Sequence, residues 1–121
     1  MESADKVSPS ELESNEELAT IAKALAHPAR MQIVRLLLSR SSCIGSDITQ
    51  ELGLAQSTVS EHLRILKAAG VVVSEIEHPR IWYSLSAQRL VSLCEFLTAV
   101  GVSQNTSNAT HLHSDKTQVR C

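Results

Sequence analysis

A chain of 121 residues with 43% hydrophobic content can bury one compact core, and a single Trp, Tyr and Phe make that core aliphatic. A formal charge of -2 argues against a histone-like coating of nucleic acid, and no run approaches the ~20 apolar residues of a membrane span. The acidic start MESADK lacks the basic and apolar regions of a secretory signal, so a cytoplasmic protein with reduced thiols is expected.

Along the chain, Ser14 followed by Glu17 forms a capping-box pattern that predicts a first helix through Leu18, Ile21, Ala22 and Leu25. His27-Pro28 interrupts it, with His27 read as a cap or packing residue. Pro28 suits the first position of a second helix over 29–39, whose Ile33, Val34, Leu36 and Leu37 are core candidates. Arg30, Arg35 and Arg40 of that segment read as solvated. Ser46 with Asp47 predicts the cap of a third helix that ends at Gly53, where a left-handed residue turns the chain. Ile48 and Leu52 give it one apolar stripe. A fourth helix opens at Gln56, with Val59, Leu63 and Leu66 inside and Ala55 providing no side-chain cap. Residues 71–77 and 81–85 are β-rich and read as a hairpin that turns at His78-Pro79, where a proline costs no ladder donor. Ser86 caps a last helix through Leu90, Val91, Leu93, Cys94, Phe96, Leu97 and Val100. Its apolar arc is too wide for one domain face, which points to an interface.

The segment SDITQELGLAQSTVSEHLRILKAAG from Ser46 to Gly70 has the layout of a helix-turn-helix. Its outward residues are Gln56, Ser57, Thr58, Ser60, Glu61, His62, Arg64 and Lys67, short hydrogen-bonding groups suited to base edges followed by cations suited to phosphates. The hairpin after it reads as a wing, with Arg80 at its tip facing a phosphate or minor groove. Charge supports this distribution. Residues 1–17 hold six acids against Lys6, which leaves 10 basic and 7 acidic residues in the remainder, a net of +3.

Three stretches, AHPARMQIVRLL, LAQSTVSEHLRILKAAGVV and RIWYSLS, make the chain resemble the ArsR/SmtB family of winged-helix bacterial repressors from about Leu18 to Val100. The resemblance implies a mainly α fold with a small β-hairpin, in the order α-α-α-α-β-β-α, and a homodimer joined through its first and last helices. Two reading heads about one DNA turn (~34 Å) apart would then match a palindromic operator in double-stranded DNA. The domain so defined covers 14–102. Before it lies an acidic arm over 1–13, and after it a polar tail over 103–121, both expected to be disordered. The DNA-contacting set is Gln56, Ser57, Thr58, Ser60, His62, Arg64, Lys67 and Arg80, with Gln56 and Ser60 toward bases.

Relatives of this kind often bind metals or arsenite through cysteines near the third helix, or through His and carboxylate groups on the last. Cys43 matches the first Cys of the Cys-x-Cys pattern, but Gly45 replaces the second, and the last helix offers only Cys94 and Glu95. Because three thiolates satisfy arsenite or antimonite and two or three satisfy a soft metal ion, Cys43, Cys94 and Cys121 form the candidate ligand set. Against it stands a reading of Cys94 as a core residue, Cys43 as a loop thiol and Cys121 as incidental. A dithiol switch is a further alternative. His111, His113 and Asp115 in the tail are a second, weaker metal candidate. No phosphate loop, carboxylate pair or Cys/His arrangement is spaced to fix an active site, so an enzyme is not expected. A winged-helix module that binds protein instead of DNA is the rival reading.

Overall fold

The computed structural model describes residues 6–104 and 120–121; residues 105–119 of the expected tail, with His111, His113 and Asp115, and the first five residues of the acidic arm lie outside them, while 103–104 belong to the last helix and 120–121 pack against the domain rather than forming part of a disordered tail. Five helices, α1 (Pro9–Leu25), α2 (Pro28–Ser39), α3 (Gly45–Leu52), α4 (Gln56–Ala68) and α5 (Ala87–Gln104), accompany three strands, β1 (Cys43–Ile44), β2 (Val72–Glu77) and β3 (Arg80–Leu85). This is the expected winged helix-turn-helix order, with one short strand added.

Local chemistry explains the boundaries. α1 starts at Pro9 rather than near Ser14, because Ser8 and Glu11 form an earlier Ser-x-x-Glu pattern with proline in the first turn. The Glu11 N–H donates to Ser8 Oγ at 3.2 Å. Glu17 is thereby left in mid-helix, where it pairs with Arg89 of α5 at 2.6 Å. α2 begins at Pro28 as expected, and His27 caps it: its Nδ1 accepts the Ala29 N–H at 3.0 Å. α3 departs from expectation. Residues 43–44 are taken into β1, so the helix opens directly at Gly45 with Ile44 at the N-cap and no side-chain cap bond, and Asp47 lies inside the first turn, where its charge complements the helix dipole. Ser86 caps α5, its Oγ 3.4 Å from the Arg89 N–H.

The sheet runs in the order β1-β3-β2, all antiparallel. Glu77 pairs with Arg80, which leaves His78-Pro79 as a two-residue turn and places Arg80 beside it at the wing tip. Cys43 pairs with Tyr83 and Ile44 with Trp82, so the segment that enters α3 is stitched to the wing.

The core is aliphatic. Ile21, Ile33, Ile48, Val59, Leu66, Val71 and Val72 are all but fully buried, joining α1, α2, α3, α4 and β2 around one centre. Leu36, Leu37 and Leu63 extend it, and Leu18, Leu25, Val34 and Leu52 are half-buried at its margin. α5 contributes little. Leu90 and Leu93 pack at the edge, whereas Val91, Phe96, Leu97 and Val100 are about half exposed. Among the described residues, no helix is long and apolar enough to cross a membrane.

Gly53 ends α3 at φ 68°, with its N–H on the Thr49 carbonyl at 3.0 Å, and this left-handed residue sets the angle between α3 and α4. Gly53→Ala therefore strains the turn without meeting a steric obstacle. A loss of about 1–2 kcal/mol in urea unfolding is expected, with Gly53→Asn losing less; equal stability of the Ala variant would contradict the assignment.

Candidate nucleic-acid interface

α4 packs its inner face on α1, α2 and α3 and thereby projects the opposite face outward. Gln56, Ser57, Thr58, Ser60, Arg64 and Lys67 are all exposed along it. No side chain caps its N-terminus, since Ala55 occupies that position. The first-turn N–H groups are thus available to an incoming acceptor.

The wing closes the other side. Gln56 and Ser60 of α4 and Pro79 and Arg80 of the wing line a single groove, to which Thr49 and Tyr83 also contribute. Tyr83 continues into a second depression with Ser60, Arg64 and Lys67. The structure therefore brings Gln56 and Ser60 together with Arg80, which lies twenty or more positions further along the sequence, and sets Arg64 and Lys67 along the same strip. Ser46 and Thr49 of α3 line the first groove too, and the DNA-contacting set read from sequence omits them. Their three-residue spacing on the polar side of α3 is the signal that places them there.

His62 departs from expectation. Read as an outward residue, it is only 9% exposed and belongs to the inner face with Val59, Leu63 and Leu66. These four positions follow the i, i+3, i+4, i+7 pattern of a buried stripe. Its ring lies 4.5 Å from that of His27, and its Nδ1 accepts from the Arg30 guanidinium at 3.2 Å, an arrangement that places the ring proton on Nε2. Arg30 in turn donates through Nε to the Ala24 carbonyl at 2.6 Å. Arg30 is accordingly a half-buried tie between the end of α1 and α4, not a solvated side chain. Arg40 is likewise engaged, 3.3 Å from Cys121 Sγ.

On the outward face, Arg64 forks onto Glu61, with Nε donating to Oε1 at 3.0 Å and a second bond from NH2 to Oε2. The hydrogen bond from Arg64 holds the Glu61 carboxyl below its usual range. Both side chains are well exposed, so the pair shapes the local field more than the stability.

Of the three cysteines, the structure joins Cys43 to Cys121 in a disulfide across a sequence separation of 78, contrary to the expectation of reduced thiols. Cys43 is fully buried, not a loop thiol. Cys94 takes no part in that bond and is exposed on α5, not a core residue, with its sulfur 4.0 Å from Thr98 Oγ1. Among the described residues, no three His, Cys, Asp or Glu side chains stand together as a metal site.

A sheet wing, a helix-turn-helix and a polar recognition face are the parts of a winged-helix DNA-binding regulator. The family model for the bacterial regulatory protein arsR family matches residues 27–74. The regulator CmtR of Mycobacterium bovis is 35% identical over 91 residues, 72% of this chain and 76% of its own. A biofilm growth-associated repressor of Agrobacterium fabrum is 33% identical over 84 residues, 69% of this chain and 71% of its own. Among solved structures, the homodimeric winged helix-turn-helix DNA-binding domain of a possible ArsR-family regulator from Mycobacterium bovis superposes with a TM-score of 0.65 at 26% identity. That superposition covers 92% of this chain and 100% of the other. The chain belongs to the arsR family of transcriptional regulators, and its relatives are regulators, not enzymes.

The buried His62 gives stability a pH dependence. Burial, then the neighbouring His27 and Arg30, push its pKa below the ordinary histidine value, while Glu61 opposes them weakly. Unfolded, the imidazole takes a proton near pH ~6.5; folded, it resists. Its contribution is thus fully present above that value and is lost as pH falls toward the lowered folded one. His62→Gln retains an acceptor for Arg30 and removes the titration. The melting temperature of the wild-type protein should fall more steeply than the variant's on acidification from about pH 7.5 to about pH 5; parallel curves would contradict the account.

Proposed function

We propose that the protein is a homodimeric repressor that places α4 in the major groove of a palindromic DNA operator. The observation that carries this reading is the shared groove: Gln56 and Ser60 face Arg80 across it, and Arg64 and Lys67 continue the strip. Gln56 and Ser60 are the base-reading residues, because short neutral donors and acceptors at the start of a recognition helix reach base edges. Ser57, Thr58, Arg64 and Lys67 contact phosphates, and Arg80 contacts the wing-side backbone.

The half-exposed apolar residues of α5, together with Leu12 of α1, supply the dimer face. A protein-binding module would instead carry apolar anchors on the outward face of α4, whose exposed residues Gln56, Ser57, Thr58, Ser60, Arg64 and Lys67 are all polar. The family's metal sites do not carry over to this chain. Gly45 stands where the second cysteine of Cys-x-Cys would be, and Cys94 is not joined to the other two thiols. Release by a thiophilic metalloid or soft metal is therefore confined to chemistry at Cys43 and Cys121.

The Arg64–Glu61 fork refines the expected energetics. Arg64 must turn from the carboxylate to reach a phosphate, so Glu61→Gln should strengthen binding to every sequence at low salt. Arg64→Ala should weaken binding to all sequences and reduce the salt slope by about one. Gln56→Ala should instead cost about 1–3 kcal/mol at one base position and relax preference there. Fluorescence anisotropy across single-base operator variants, at several salt concentrations, measures all three. Equal loss on every variant for Gln56→Ala would contradict the base-reading role.

A further inference from the structure

We propose that Cys43 and Cys121 are a reversible thiol–disulfide couple in which Cys121 is the reacting sulfur and Arg40 its activating group. The inference stands on the geometry of β1 and residues 120–121 and does not rest on the DNA reading.

Three contacts hold residues 120–121 against the sheet without the sulfur–sulfur bond. The Cys121 N–H donates to the Ser42 carbonyl at 2.9 Å, Arg120 Nε donates to Ser42 Oγ at 3.0 Å, and the Arg120 guanidinium lies 3.9 Å above the Trp82 ring. Cleavage of the disulfide therefore leaves the two sulfurs facing each other, and closure is an intramolecular step between preplaced groups. The two sulfurs differ in access. Cys43 is fully buried, whereas Cys121 is partly exposed, so an external reagent meets Cys121 first. Arg40 then distinguishes Cys121 chemically. Its NH1 lies 3.3 Å from Cys121 Sγ, where a guanidinium stabilises the negative charge that sulfur carries when it attacks or leaves.

The step balances with a hydroperoxide as oxidant. The Cys121 thiol gives its proton to solvent, the thiolate attacks one peroxide oxygen, the sulfur–oxygen bond forms, the oxygen–oxygen bond breaks, and the departing alkoxide or hydroxide takes up the proton that the thiol released. Cys43 sulfur then attacks Cys121 Sγ and displaces hydroxide, which leaves as water with the Cys43 proton. In the reverse direction, a small thiol attacks Cys121 and releases Cys43. A second thiol frees Cys121, whose developing charge Arg40 again stabilises. The position gives the couple a structural reach. β1 pairs with β3 of the wing and leads directly into α3, so the bond ties residues 120–121 to the junction of both DNA-reading elements.

The test uses the full chain with Cys94→Ser, so that only the two thiols remain. After reduction and desalting, equimolar hydrogen peroxide should remove two hydrogens from the intact mass and link the Cys43 and Cys121 peptides within one chain. With Cys43→Ser added, dimedone should trap a sulfenic acid on Cys121; with Cys121→Ser added, Cys43 should stay unmodified. Arg40→Gln, checked by circular dichroism for an unchanged fold, should oxidise roughly 3- to 10-fold more slowly at neutral pH. Dimedone capture on Cys43, a bond between two chains, or an unchanged rate in Arg40→Gln would each overturn the proposal.

Discussion

The inner face of α4 is the constraint on which the rest depends. Val59, His62, Leu63 and Leu66 commit one side of a 13-residue helix to the core, and no rotation of the helix buries that stripe without presenting Gln56, Ser60, Arg64 and Lys67 to the exterior. Three of the four buried residues are aliphatic and supply the bulk of the free energy through apolar burial. The fourth is an imidazole hydrogen-bonded to Arg30, which ties the helix to the α1–α2 corner and fixes its rotation more sharply than methyl packing alone. The side chain that holds the outward polar face in place therefore points away from it.

The wing is positioned by equally few groups. Tyr83 pairs with Cys43 on one side and Ser74 on the other, and it lines both depressions beside α4. The outward face of α4 and the hairpin consequently share a floor. The electrostatics of that surface are restrained: an exposed Arg is forked to a Glu one turn away, and the total formal charge is negative. Such a surface lowers indiscriminate affinity for polyanions.

Periodicity and turn chemistry made most of the architecture legible in the sequence. Gly53, Pro28, Ser86 and the His78-Pro79 turn lie where local rules put them, because each effect acts within a few residues. The failures have physical reasons. β1 is two residues long, and its pairing with β3 is set by contacts about 40 residues away, which no local pattern encodes. Its formation also displaced the expected Ser46 cap of α3. The start of α1 went to the earlier of two Ser-x-x-Glu patterns because proline follows Ser8. Polarity alone puts His62 outward, although its spacing from Val59 and Leu66 places it inward. The bond between Cys43 and Cys121 has no local signature, since cysteine count and spacing do not fix connectivity.

The most direct test is an amide chemical-shift titration of the 15N-labelled full chain with duplex DNA from upstream of its own gene, run to saturation. Perturbations should concentrate in 56–67 and around the wing turn at 77–81, with two protomers bound per duplex. Shifts confined to α1 and α5, with the α4 amides unmoved at saturating DNA, would contradict α4 as the reading element.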